Sequence, residues 1–326
     1  MLQMDKLKRA ELAQIKHKEY KIKILKSQGT PPGITKAKIY FPFTKLLLRL
    51  INIVERSSIE YLNEKKPFIP HNRPVIFACT HKFKQDVEKI TISLPKPSFI
   101  VASDYKNSYH TIAGWYLNTR PTIFVDPYDK EDRKITYQLM VKYLQSGHNL
   151  MIYPEAVWNL SENRIMLNCF LGSVRAALET NAVIDCTAIE KYNRKFIINR
   201  KGYLDFPKFV LKKYGQPFGE MHEEKQKKVL LECNQVLRDT LATRMMEIWI
   251  DYSEKNGIEK RADIPNNYWS DFINNQTSEW KGYKMSDNVD QQFYSKDERE
   301  FFMVQESFNS IIPSLKNAFL FNKRLK

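Results

Sequence analysis

The sequence predicts an α/β fold: a mostly parallel central sheet flanked by helices, an N-terminal amphipathic helical segment and a C-terminal helical appendage. Short apolar runs at residues 75–79, 98–102, 122–125, 150–153 and 183–189 alternate with helical patterns at 85–93, 104–117, 130–145 and 171–180. Strands separated by helices in this way build βαβ units. The run at 75–79, Val-Ile-Phe-Ala-Cys, is apolar at every position rather than every second one, as in a parallel strand covered on both faces. Three runs end on groups able to do chemistry, and parallel sheets place their sites at the carboxyl ends of strands.

The remaining elements are read in order. Residues 1–27 alternate Lys and Arg with Leu7, Ala10, Ile15, Ile22 and Leu25, a rough helical stripe ending before Gly29-Thr-Pro-Pro-Gly33. Residues 39–54 crowd Tyr40, Phe41, Phe43, Leu46, Leu47, Leu48, Leu50, Ile51, Ile53 and Val54 around Lys45 and Arg49. Such a helix fits either a membrane interface or an ordinary buried position. Residues 55–72 read as a polar connection. Residues 195–214 read as β-rich, and a long helix follows from Glu223 to about Ser253. Past Glu254 the composition turns to Asn, Asp, Gln and isolated aromatics. The expected division is thus 1–56 basic amphipathic helices, 57–254 an α/β domain and 255–326 an extension.

Charge narrows the partners. The chain of 326 residues carries a net charge of +15. Its first fifty residues hold twelve Lys or Arg against three acidic residues, so +9 of that charge sits at the amino end. An anionic partner is expected, and a membrane lipid surface fits the apolar-basic helices. Basic and aromatic residues do not interleave as nucleic-acid readers require, so no nucleic acid is expected. Cys79, Cys169, Cys186 and Cys233 lack metal-ligand spacing and read as buried thiols of a reducing compartment, with no metal. No signal-peptide pattern and no apolar run of about 18 residues is present, so the expected location is cytoplasmic, peripheral on the inner membrane face.

The candidate chemistry begins where the 75–79 run stops. His81 follows it and Asp86 comes five residues later, close enough to reach the imidazole and fix its tautomer. Taken alone, such a pair is as readily structural as catalytic. Thr122-Ile-Phe-Val-Asp126 is a second strand ending on a carboxylate, and Leu150-Met-Ile-Tyr153-Pro154-Glu155 a third. Three such ends in one sheet describe a single cleft.

The ordered set resembles the lysophosphatidic acid and glycerol-3-phosphate acyltransferases of phospholipid synthesis. The resemblance runs from about Pro74 to Phe218. Its His-x4-Asp block reads His81-Lys-Phe-Lys-Gln-Asp86. The second block is similar to Phe124-Val-Asp126-Pro127, and the third to Tyr153-Pro-Glu155-Ala-Val-Trp158-Asn159. The fourth is similar to Val183-Ile-Asp-Cys-Thr-Ala188, and a later strand reads Tyr214-Gly-Gln-Pro-Phe218. The family's phosphate-binding basic residues are replaced by Pro127 and by Ala156-Val157-Trp158. Arg120, Arg133 and Arg164 are candidates to substitute, or Trp158 and Asn159 line a pocket for an acceptor without phosphate.

The resemblance implies an O-acyltransferase that moves a fatty acyl group from an activated donor to a hydroxyl of a lysophospholipid or related lipid. His81 is then the general base and Asp86 its orienter, with the acceptor hydroxyl in the place of the serine of a Ser-His-Asp triad. No cofactor is needed beyond the co-substrate, an acyl carrier protein or coenzyme A thioester, or an acyl phosphate. Glu155 anchors the loop or binds the acceptor; Lys82 and Lys84 are phosphate candidates or simply solvated. Asp126 is a site residue or the amino-cap of the 130–145 helix. Two other readings remain: acyl transfer to a glycan or other non-phosphate acceptor, and a decayed cleft in a protein that binds an anionic membrane or nucleic acid.

Overall fold

A computed structural model describes residues 2–256, apart from 30, 32–33, 64, 66–67, 83–84, 104–121, 127–128, 157–165, 167–168 and 193. The expected 104–117 helix and residues 257–326 of the expected 255–326 extension lie outside the described residues.

Among the described residues seven strands form one sheet: β1 (Ser58–Asn63), β2 (Val75–Cys79), β3 (Ser98–Ala102), β4 (Thr122–Phe124), β5 (Asn149–Ile152), β6 (Val183–Tyr192) and β7 (Lys195–Arg200), in the order β1-β7-β6-β2-β5-β3-β4. All neighbours are parallel except β6 and β7, which form a hairpin. The helices are α1 (Leu2–Lys26), α2 (Ile34–Val54), α3 (Asp86–Ser93), α4 (Lys130–Gln145), α5 (Gly172–Thr180), α6 (Phe206–Tyr214) and α7 (Glu223–Asn256). Strand β2 lies in the middle of the sheet with all five residues fully buried, which is why its sequence shows no alternation. On one face Ile76, Ala78, Leu150 and Ile184 pack against α4, α5 and α7; on the other Val75, Phe77 and Cys79 pack with Ile90 of α3 and with Leu94 just after it.

Three expectations are corrected. The polar connection at 55–72 contains β1, an edge strand parallel to β7 whose half-exposed residues mix polar and apolar types. The β-rich stretch is strand only to Arg200, with one isolated bridge from Leu204 to Ile184 beyond it. Phe206–Tyr214 is a helix, capped by the Asp205 carboxylate accepting from the Lys208 N–H and ended by Gly215 at φ 71°. Its aromatic and branched residues mimic a strand, whereas the Asp, Pro207 and Gly punctuation marks the helix. Tyr214–Phe218 is correspondingly the end of α6 and the turn after it.

Helix α1 packs along α4. The Lys21 ammonium is buried and donates to Phe124 O, Asp132 Oδ1 and Thr136 Oγ1 at 2.6–2.9 Å. Lys142 of α4 donates to the carbonyls of Ile24 and Ser27 at the end of α1. His17 rests 5.0 Å from the Phe124 ring, and burial, reinforced by the charge of Lys21, holds its pKa below 6.5. Below about pH 6.5 the unfolded chain takes up a proton that the folded chain refuses, so stability falls as the pH drops. Between about pH 7.5 and about pH 5.5 the wild-type melting temperature is expected to fall further than that of His17→Gln, with His148, also held low by burial, accounting for a shared remainder.

Helix α2 turns Phe41, Leu48 and Asn52 inward and exposes Ile39, Tyr40, Phe43, Leu46, Leu47, Leu50, Ile53 and Val54. At about 100° per residue these eight fall within an arc of roughly 140°. Phe43 is 66% exposed and Val54 83%. Among the described residues no helix is long and apolar enough to cross a membrane.

Candidate active site

The backbone ladder of β2 runs one residue past the strand: Thr80 N–H donates to Thr187 O, and Thr80 Oγ1 accepts from Ile189 N–H. At His81 the chain leaves β6, and its N–H donates instead to Glu155 Oε1 at 3.0 Å. Glu155 is fully buried two residues beyond the Tyr153 that follows β5. Because β5 and β2 are neighbours, with Ala78 opposite Ile152, the two strand ends meet.

His81 Nδ1 lies 2.8 Å from Asp86 Oδ2, and the same oxygen accepts from the Lys82 N–H at 3.0 Å. Asp86, the first residue of α3, is fully buried, whereas the His81 side chain keeps 17% of its surface. The Tyr153 ring stacks on the imidazole with centroids 4.1 Å apart. A buried carboxylate on Nδ1 selects the tautomer with the proton there, which leaves the Nε2 lone pair as the basic site. The imidazole is thus held on one edge, covered on one face and still reached by solvent.

Ala156 adopts φ 59°, the left-handed region that favours glycine. A side chain in that region costs about 1 kcal/mol. Ala156→Gly is therefore expected to unfold in urea with stability unchanged or raised by up to about 1 kcal/mol, and Ala156→Val with a loss.

His81, Asp86, Tyr153, Pro154 and Glu155 are brought together. Asp126 is at the same end of the sheet but three strands from β2, roughly 14 Å away. Its carboxylate accepts from Gln14 of α1, and its N–H donates to Asp132. It is not the cap of α4. That residue is Asp129, immediately before the helix, accepting from the Glu131 and Asp132 N–H groups at 2.8 and 3.1 Å. Lys82 is buried rather than solvated, with only 1% of its surface exposed. Arg133 is exposed on the first turn of α4. Lys84, Arg120, Trp158, Asn159 and Arg164 lie outside the described residues.

Sequence reasoning missed Thr80, whose hydroxyl closes the ladder beneath His81, and Gln14, which no local pattern joins to Asp126. Among the described residues no group of three His, Cys, Asp or Glu side chains could hold a metal ion. The four cysteines are buried free thiols, and burial raises the pKa of each, to about 12 at Cys233.

Residues 59–190, from β1 through most of β6, match the family model for acyltransferases. By this match the segment is similar to acyltransferases. It includes all four of the blocks read from the sequence between His81 and Ala188. Among solved structures, the 1-acyl-sn-glycerophosphate acyltransferase PlsC of Thermotoga maritima aligns at 13% identity and a TM-score of 0.45, over 71% of this chain and 96% of that one. No curated protein matches the chain in sequence.

Proposed function

We propose that the protein transfers a fatty acyl group from a thioester or acyl phosphate to a hydroxyl of a lysophospholipid or related lipid, with His81 as general base. The observation that carries this reading is the 2.8 Å contact between His81 Nδ1 and the fully buried Asp86 at the end of the central strand. His81 Nε2 takes the acceptor's proton as the hydroxyl oxygen attacks the acyl carbonyl. The bond to the leaving sulfur or phosphate then breaks, and the imidazolium returns the proton to the leaving group. Asp86 stabilises the imidazolium in between, and Glu155 holds the backbone of His81 without entering the proton path. The intact pair favours turnover over a decayed cleft.

The exposed apolar arc of α2, with Lys38 and Arg49 also exposed on that helix, suits an anionic lipid surface on which both acceptor and acyl chain reside. The lipid acceptor follows from the sequence resemblance and from this face.

The test is mass spectrometry of lysophospholipids and lipid extracts incubated with the purified protein and a long-chain acyl thioester, on coenzyme A or on acyl carrier protein. A protein-dependent acylated lipid is expected, and its mass identifies the acceptor. Acylation of a supplied glycan but of no lipid would sink the lipid assignment, and no product with any acceptor would sink the enzyme reading.

A further inference from the structure

One of the buried charges beyond the His81–Asp86 pair lies on α3 itself. This helix is two turns long, Asp86 is its first residue, and the side chain of Gln85 before it makes no capping hydrogen bond. The Lys82 N–H gives the Asp86 carboxylate one local hold. Lys89 follows on the same helix, about 4.5 Å further along the axis, and is fully buried. Its ammonium donates to Asn52 Oδ1, to Glu55 Oε2 at 2.8 Å and to Ser57 Oγ at 3.3 Å, and stands 4.8 Å from the centre of the Phe196 ring. Asn52 belongs to α2, and Glu55 and Ser57 to the chain leaving it. A second lysine runs the other way: Lys45 of α2 donates to the Leu94 carbonyl at the far end of α3, at 2.8 Å.

Burying an ammonium is costly, and oxygen partners offset that cost with little surplus; a leucine or methionine would pack against Phe196 without it. An apolar side chain could not hold a direction. The oxygens fix the cation from the side of α2, and the backbone of α3 carries that constraint back one turn to Asp86. Resting on the acyl-transfer reading above, we propose that Lys89 is a positioning residue: it ties α3 to the end of α2 and so holds the Asp86 carboxylate in line with His81 Nδ1. The same tie fixes the histidine relative to the helix whose outer face is apolar.

Lys89→Met, Lys89→Arg and Glu55→Gln, compared with wild type, test this on two readouts. The first needs no turnover: the proton on His81 Nδ1, bonded to a carboxylate, gives a low-field NMR signal that Asp86→Asn identifies by its loss. Lys89→Met is expected to shift or broaden that signal while far-UV circular dichroism is unchanged, and Lys89→Arg to restore part of it. The second is the split of kinetic constants: kcat falls roughly 10- to 100-fold in Lys89→Met while KM for the acyl donor stays within about twofold, because a small misplacement of a reacting group costs rate rather than binding. Should Lys89→Met fail to fold, Glu55→Gln, at the solvent edge of the same cluster, is expected to shift the signal in the same direction by less. A wild-type His81 signal in folded Lys89→Met, or in Glu55→Gln where that alone folds, overturns the proposal. Absence of turnover in the wild-type protein would instead overturn the acyl-transfer reading and leave the NMR comparison to decide this one.

Discussion

His81→Ala is expected to lower acyl transfer by about a thousandfold or more while shifting the thermal melt by only a few degrees. The two effects separate because of where the side chain sits. Its imidazole stacks on Tyr153 and is partly open to solvent, so truncation removes one ring contact and leaves no large sealed cavity. Asp86, by contrast, is fully buried and also receives the Lys82 N–H. Asp86→Asn preserves that shape but removes the charge that stabilises the imidazolium, so a loss of roughly a hundredfold or more is expected. Rates of product formation by mass spectrometry, beside melts of the same preparations, check both. Full transfer by His81→Ala would refute the mechanism.

Arg200→Met is expected to destabilise the fold by about 3–5 kcal/mol, a drop of roughly 10–15 °C in melting temperature for a domain of this size. Arg200 and Asp185 are both fully buried on adjacent strands β7 and β6, joined at 2.8 Å through Nη2 and Oδ2. Arg200 also donates to the Ser93 carbonyl at 2.9 Å and lies over the Phe77 ring, while Asp185 accepts from Thr187. Removing the guanidinium alone leaves a carboxylate in the core facing one hydroxyl. Removing both charges does not: Asp185→Leu combined with Arg200→Met is expected to recover most of the lost stability. Denaturant melts of the two single variants and the double decide it. A double variant no more stable than Arg200→Met alone would show that the pair is needed for more than neutralising itself.

Much of the sheet was legible because its strands are buried on both faces. Residues 75–79 and 98–102 are strands to the residue, and 130–145 is a helix to the residue. Where burial is partial the pattern blurs: β1 is an edge strand whose half-exposed residues read as a polar connection. Helix α6 was misread because Phe206 and Val210 pack one face against the core while Phe209 is exposed, and aromatic content looks like strand whichever face is buried.

The sequence by itself determined the chemistry available. A histidine at the end of an apolar strand, a carboxylate five residues on, and Pro-Glu at the end of another strand all follow from local order in the chain. Tertiary structure alone decided which of these groups meet. Strand order puts β5 beside β2, so Glu155 holds His81, and puts β3 between β5 and β4, so Asp126 answers to α1 instead. It also decided that Lys82 is buried, and that Lys89 reaches back 37 residues to Asn52. The physical reason is that periodicity records which face of an element is covered, whereas partnership between elements is set by sheet order and packing, which no local spacing encodes.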